Sequence, residues 1–474
     1  MDSPPAAAEG DRRRDHDAAT LISQDSLRAH MSTTADSTKD EPVMKLGPIR
    51  MVPGVRPINV VTLFFASFFG IAVMSFMNAQ APILFREILG IAQDEVGRLS
   101  STLVVSHEIV VILCIAPIGA MSDKFGRRPF YALAFLLLAI GHFLYPLANS
   151  ESELLMYRLV FAVGAASATA MLAAVANDYP EESGRGRMIA VTMFFNGLGL
   201  FLLFMFLFRP LQGWFENAGF TTPEAVTYVR WVVAGLCVIV AVAAAGGLKK
   251  GAPAQVAQRE PLLTTLKVGL KAAKQPRIAL AYFAALVSRG DLAVVSTFFT
   301  LWLFTIGVEQ GLDESYAQGR AFLFYATIQG AALLGAIVAG ILFDYFDRLL
   351  CLAAAMVIGA CGYGSLVFLP NPLESNLMWG SAILVGFAEI SANLASLSLV
   401  GSEAPVKGRG SVIGMFSLFG AVGIMAVAWA GGQLFDLWRP TGPFALVAIA
   451  NVVVLVVALL LYFAQRNARA AEVA

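Results

Sequence analysis

The sequence predicts an all-α polytopic membrane protein, with twelve transmembrane helices in two pseudo-symmetric six-helix bundles. Composition is the first reason. Of 474 residues, 58% are hydrophobic and 14% charged, against about 25% charged in an ordinary soluble domain. So few charges cannot cover the water-facing helical surfaces of a soluble chain this long. The second reason is a train of apolar runs, each near the ~20 residues that a helix needs to cross a bilayer. The third is a pair of short polar patterns that recur in both halves of the chain.

Residues 1–54 are polar and rich in Ala, Ser, Asp and Arg, and are expected to form a disordered cytoplasmic tail without the apolar core of a signal peptide. The N-terminal bundle is placed at 55–248, with apolar runs at roughly 59–85, 97–119, 129–148, 154–177, 188–209 and 228–248. Residues 249–277 form a polar cytoplasmic linker. Its second half, from Pro261 to Lys271, has the pattern of an amphipathic surface helix, and the plainer reading is a connection with a basic face. The C-terminal bundle occupies 278–465, with runs at roughly 278–306, 320–343, 349–369, 376–401, 411–433 and 441–464, and 466–474 form a second cytoplasmic tail. Backbone in hydrocarbon must satisfy its own hydrogen bonds, and nothing alternates with a barrel-strand period, so each run is a helix. Cys114, Cys237, Cys351 and Cys361 sit inside apolar runs and read as small buried hydrophobes, without disulfide or metal spacing.

Lys and Arg are distributed unevenly between the two sides. With the N-terminus in the cytoplasm, the inner loops hold twenty basic residues and the outer loops six: Arg86, Arg98, Arg209, Arg230, Arg320 and Arg439. By the positive-inside rule both termini are cytoplasmic, in a cell membrane.

After the second run the chain reads Gly119-Ala-Met-Ser-Asp123-Lys124-Phe-Gly126-Arg127-Arg128-Pro129. After the eighth it reads Gly340-Ile-Leu-Phe-Asp344-Tyr-Phe-Asp347-Arg348. Asp178-Tyr-Pro180 followed by Arg185-Gly186 recurs as Glu403-Ala-Pro405 followed by Arg409-Gly410. A duplicated six-helix unit is one architecture of secondary transporters. The 119–129 loop resembles the signature Gly-x-x-x-Asp-Arg/Lys-x-Gly-Arg-Arg/Lys of the major facilitator superfamily, matching at Gly119, Asp123, Lys124, Gly126, Arg127 and Arg128. The resemblance spans roughly 55–465. It implies a cytoplasmic latch that holds the outward-open state, shared by Asp123, Arg127 and Asp178 in one half and by Asp344, Arg348 and Glu403 in the other, with Arg185 and Arg409 in the flanking loops. It also implies that helices 1, 4, 7 and 10 line a central cavity, while helices 5 with 8 and 2 with 11 form the moving seam. Gly197, Gly199, Gly330, Gly335, Gly340, Gly420 and Gly423 suit close crossings of helices 5, 8 and 11. The antiporter run of helix 5 is missing, since the chain reads Phe194-Phe195-Asn196-Gly197-Leu198-Gly199 there.

Ionisable residues inside the runs each cost at least ~2.5–3.5 kcal/mol to insert. They are His107 and Glu108, Arg158, Arg289 and Asp291, and Glu389, with Asn393 one turn further on. Arg289 and Asp291 are two apart, point to nearly opposite sides and need partners on other helices. The alternatives for each group are a fixed ion pair or a titrating carboxylate. The expected function is secondary active transport of a small organic solute, amphiphilic or charged, by a monomer that alternates access and is coupled to protons, with export slightly favoured over import. A facilitative uniporter, an uptake symporter and a non-transporting sensor or partner subunit are the alternatives. The sequence contains no phosphate loop, no His-Glu-x-x-His and no metal-ligand cluster. No cofactor, metal, nucleic acid or enzymatic activity is expected.

Overall fold

The computed structural model describes residues 44–251, 262–405 and 408–473, apart from the side chains of 262–266, 344 and 468–473. Its twelve long apolar helices are α1 Pro57–Glu87, α2 Val96–Phe125, α3 Arg127–Leu147, α4 Glu151–Asp178, α5 Glu182–Asn217 and α6 Thr222–Gly247, then α7 Pro276–Glu309, α8 Glu314–Phe343, α9 Arg348–Val367, α10 Leu377–Glu403, α11 Arg409–Leu437 and α12 Gly442–Asn467. The largest departure from the apolar runs is in α5. It continues past the bilayer-length segment into Arg209–Asn217, which includes Gln212 and Glu216. Twelve crossings put the first and last described residues on the face that carries the connection between α6 and α7. We call it the linker face, and the opposite one the far face.

Each half repeats the same packing. In the first, α3 lies against α4 and α6, α1 against α5 and α2 against α4. In the second, α9 lies against α10 and α12, α7 against α11 and α8 against α10. The tightest crossings repeat as well. A Cβ at Gly199 of α5 would overlap the Phe68 carbonyl of α1, and one at Gly423 of α11 would overlap the Leu286 carbonyl of α7. Small residues let helix backbones meet where lipid supplies no hydrophobic drive. Gly199 and Gly423 therefore close crossings inside the halves, as their small size suits. Gly197 and Gly330 do lie at the seam, against Leu333 and Phe201, whereas Gly335 packs on α10.

α5 and α7 each contain one wide π turn, at Phe204–Phe208 and Val294–Phe299. Such turns inside α-helices favour functional segments.

Residues 44–54 do not belong to a disordered tail. Lys45–Leu46 pairs antiparallel with Ile49–Arg50, and Ile49 and Met51 are buried. The hairpin is stitched to the loop between α4 and α5: Val52 N–H donates to the Tyr179 carbonyl at 2.9 Å, and Glu181 N–H to that of Arg50 at 2.9 Å. Lys249 Nζ donates to the Pro53 carbonyl at 2.8 Å. Residues 1–43 of the expected tail lie outside the described residues. In the linker, a helix spans Leu262–Ala272. It packs on the start of α11, where Gly269 meets Met415 and Ser411, and Tyr282 Oη donates to the Gly269 carbonyl at 3.1 Å.

Candidate functional site

The halves meet at the far face. Arg86 of α1 pairs with Glu314 of α8 at 2.5 Å, and Gln93 donates to Glu309 at 2.9 Å. Gln318 of α8 donates to the Ala79 carbonyl at 3.0 Å, and Gln212 of α5 to Ser315 at 2.8 Å. At the α2–α11 crossing, the Asp436 carboxylate accepts the Gly97 N–H at 2.9 Å and the Arg98 N–H at 2.6 Å. These are free N–H groups of the first turn of α2, so a carboxylate from one half caps a helix of the other. Gly432 allows this approach, since a Cβ there would strike Ser101.

Towards the linker face the same helices part. Seven of the nine α2 residues 96–104 are buried, but none of residues 105–121 is. A helix with lipid on one side and protein on the other would alternate. A stretch without any buried position fits lipid on one side and an opening between the helices on the other, called the cleft below.

Glu108 lies about 18 Å along α2 from the far face at 1.5 Å per residue, where this opening begins. It is half-buried and within electrostatic range of Arg158 and Arg289. Arg158 of α4 is 3% exposed. Its Nη2 donates to Asn78 of α1 at 2.7 Å, its guanidinium lies 5.4 Å from the Phe161 ring centre, and its Nε has no partner. His107 lies beside it, its ring 6.0 Å from Phe161 and its Nδ1 unpartnered. Arg289 of α7 is half-buried, its stem against Gly420 of α11. Glu108, Arg158 and Arg289, from α2, α4 and α7, therefore form one charged neighbourhood where the opening begins.

Asp291 does not line the cleft. It is fully buried and turned into the second half, where Asn451 Nδ2 of α12 donates to its Oδ2 at 3.4 Å and its Oδ1 has no partner. Two helical positions from Arg289 rotate its side chain away, as the spacing predicts. Glu389 of α10 is 6% exposed and hydrogen-bonded to Gln329 of α8, with its Oε2 unpartnered. Asp291, Glu389 and the Tyr363 hydroxyl of α9 share one buried neighbourhood. Asn393 is half-buried on the same helix as Glu389. Asn451, Gln329 and Tyr363 were missed in the sequence because neutral polar residues in apolar runs carry no charge signal. Arg230, counted in an outer loop, is fully buried in α6. Its guanidinium stacks 4.5 Å from the Tyr145 ring centre, and Nη1 reaches Met77 Sδ at 3.2 Å.

At the linker face, the first expected cluster forms. Arg127 pairs with Asp123 at 2.5 Å and with Asp178 at 2.9 Å, and its Nη1 also donates to Ser122 Oγ at 2.6 Å. Gly126, at φ 92°, makes the turn into α3 that brings Arg127 round. Gly119 supplies the carbonyl that Ser122 Oγ bonds at 2.8 Å. Lys124 lies over the Phe125 ring at 5.3 Å, and Arg128 lies near Tyr179. In the second half, Glu403 and Arg348 take separate partners among the described residues. Arg277, at the start of α7, donates to Glu403 at 2.7 Å, as does Gln275, while Arg348 donates to Ser398 Oγ. The side chain of Asp344 lies outside the described residues. Asp347 instead caps α9 by accepting the Leu349 N–H at 2.8 Å. Arg409 donates to the Gly401 carbonyl at 2.8 Å, and Arg185 is exposed.

Residues 63–428 match the family model of the Major Facilitator Superfamily. The chain is 26% identical over 416 residues to the magnetosome protein MamH of Paramagnetospirillum magneticum, covering 86% of this chain and 93% of that protein. It is also 26% identical to the magnetosome protein MamZ of the same organism, over 79% of this chain and 58% of that longer protein. Among solved structures, the nucleoside transporter NupG superposes with a TM-score of 0.66 at 14% identity, over 86% of this chain and 99% of that one. The twelve crossings, the two repeated halves and the match over most of its length make this chain a member of the major facilitator superfamily, a membrane transporter and not an enzyme.

Proposed function

We propose that the chain is a secondary active transporter that moves a small charged organic solute by alternating access, coupled to protons. It works as a monomer in the cell membrane, with the linker face in the cytoplasm. The observation that carries this reading is the change along α2, from buried at the far face to open at the linker face, with Glu108, Arg158 and Arg289 at the point of change. On that orientation, supported by the excess of Lys and Arg in the linker-face loops, the structure corresponds to an inward-open state. Closing the linker face and parting the far-face contacts then gives the outward-open state. The Asp123–Arg127–Asp178 cluster acts as the latch at the linker face. A desolvated carboxylate in the cleft takes a proton on one side and releases it on the other.

The test is transport in proteoliposomes under an imposed pH gradient. Labelled solute accumulates when the gradient is applied and equilibrates when an ionophore collapses it. Uptake or efflux indifferent to the gradient rejects the coupling, and passage of no solute at all rejects the transporter.

A further inference from the structure

We propose that the cleft is an organic-anion site: Arg289 and Arg158 receive the anionic group, and Glu108 is the resident counter-charge that a proton removes when the anion binds. This rests on the transporter reading above and names its cargo class. Three ionisable groups lie where the opening begins: Glu108 from α2 and Arg289 from α7, both half-buried, and the buried Arg158 from α4, with both guanidiniums within electrostatic range of Glu108. His107, next to Glu108 on the same helix, adds no negative charge in either protonation state. Tyr145 and Arg230, packed behind Arg158, add none at neutral pH. The other two carboxylates, Asp291 and Glu389, are turned into the second half and engage Asn451 and Gln329. The cleft therefore holds two fixed cations against one carboxylate.

Among the described residues no further acidic group makes up the deficit. Arg158 is buried beyond nine-tenths, bonded on one side to a neutral amide, and its Nε is left without an acceptor. A buried guanidinium with an empty donor is costly, and an incoming carboxylate or phosphate satisfies it by charge-assisted bonds. Arg289 belongs to the other half, so one anion bridging the two guanidiniums would also draw the halves together across the cleft.

The same arrangement fixes the sign of the coupling. Ionised Glu108 competes with an incoming anion for both guanidiniums. Protonated Glu108 does not. Proton and anion therefore favour each other's binding, and linkage makes the effect reciprocal. Two ligands that bind together cross together, so the proton and the anion move in the same direction. Under an inward proton gradient this drives uptake, the opposite of the direction favoured by the sequence.

The test uses the full chain in detergent and three probes that share one ring and differ in charge: benzoate, benzamide and benzylammonium. Benzoate is expected to raise the unfolding temperature, more at pH 5.5 than at pH 8, and the other two are not. In Glu108→Gln the benzoate affinity at pH 8 should rise about tenfold, within the usual range of coupling between sites, and lose its pH dependence. In Arg289→Gln the benzoate effect should vanish. Because that variant removes a half-buried charge between the two halves, proton uptake by the unmodified protein is an independent readout: benzoate added to a weakly buffered sample should make the medium more alkaline. Stabilisation by benzylammonium instead of benzoate, no shift with any probe, or weaker benzoate binding in Glu108→Gln overturns the proposal. Proteoliposomes that exchange a neutral or cationic solute would keep the transporter reading and sink the anion site alone.

Discussion

Single side chains decide which face of this molecule is shut. Asp436 accepts two N–H bonds from the first turn of α2 across the boundary between the halves, and hydrogen bonds to a charged group are worth about 1.5–3 kcal/mol each. Asp436→Ala is expected to loosen the far face. A cysteine replacing Ser101, buried at 3% in that crossing, should then react several-fold faster with a membrane-impermeant maleimide, while folded yield stays the same. An unchanged rate would mean that glycine packing alone closes the crossing. The sequence did not reveal Asp436, because an acid at the end of an apolar run reads as a loop residue and its partner lies in the other half. Arg230 was misplaced for the same reason. It is close to the beginning of α6, and only Tyr145 and Met77, distant in the chain, make it an interior residue. Arg158, Glu108, Arg289 and Asp291 were legible because charge inside hydrocarbon is rare. Spacing also predicted that Arg289 and Asp291 diverge, though not that Asp291 would leave the cleft for Asn451.

At the scale of helices and loops, hydropathy carried most of the information: all twelve crossings were found, with ends within about four residues, apart from α5, which is longer at both ends, and one end each of α2, α6 and α8, which runs about six residues further. Interhelical contacts were less legible. A glycine announces a close approach without saying to which neighbour: Gly197 and Gly330 serve the seam, while Gly199 and Gly423 serve α1–α5 and α7–α11. Gly199→Ala should cut the amount of folded protein recovered in detergent, since overpacking costs about 1–3 kcal/mol. Gly340→Ala, with open space at its Cβ position, should leave recovery as it is. In the loops, the repeat gave positions and not partners. Glu403 stands where the pattern puts it, yet Arg277 reaches it from the end of the linker, while Arg348 turns to Ser398. The first-half cluster suits the latch role. Asp123→Asn is expected to slow transport in proteoliposomes severalfold with normal folded yield and thermal stability, and an unaltered rate would remove the latch.

For the molecule as a whole, two halves packed alike are joined at one face and parted at the other. The seam gives a direct handle on the proposed motion of the halves. An ideal Cβ at Gly197 of α5 lies 3.9 Å from the Leu333 Cβ of α8, which matches the separation in a disulfide. Gly197→Cys combined with Leu333→Cys should therefore cross-link on oxidation and stop transport, and reduction should restore it. Full activity of the oxidised pair would put the pivot of the motion at this contact. The terminal hairpin bears on how that motion is made. It continues directly into α1, is bonded through Val52 and Glu181 to the turn between α4 and α5, and is held by Lys249 beyond the end of α6. Helix α1 cannot lean at the linker face without dragging three neighbours along. In the proposed alternation of access, the first half is therefore expected to swing as one body, with α1 tied at this end to α4, α5 and α6.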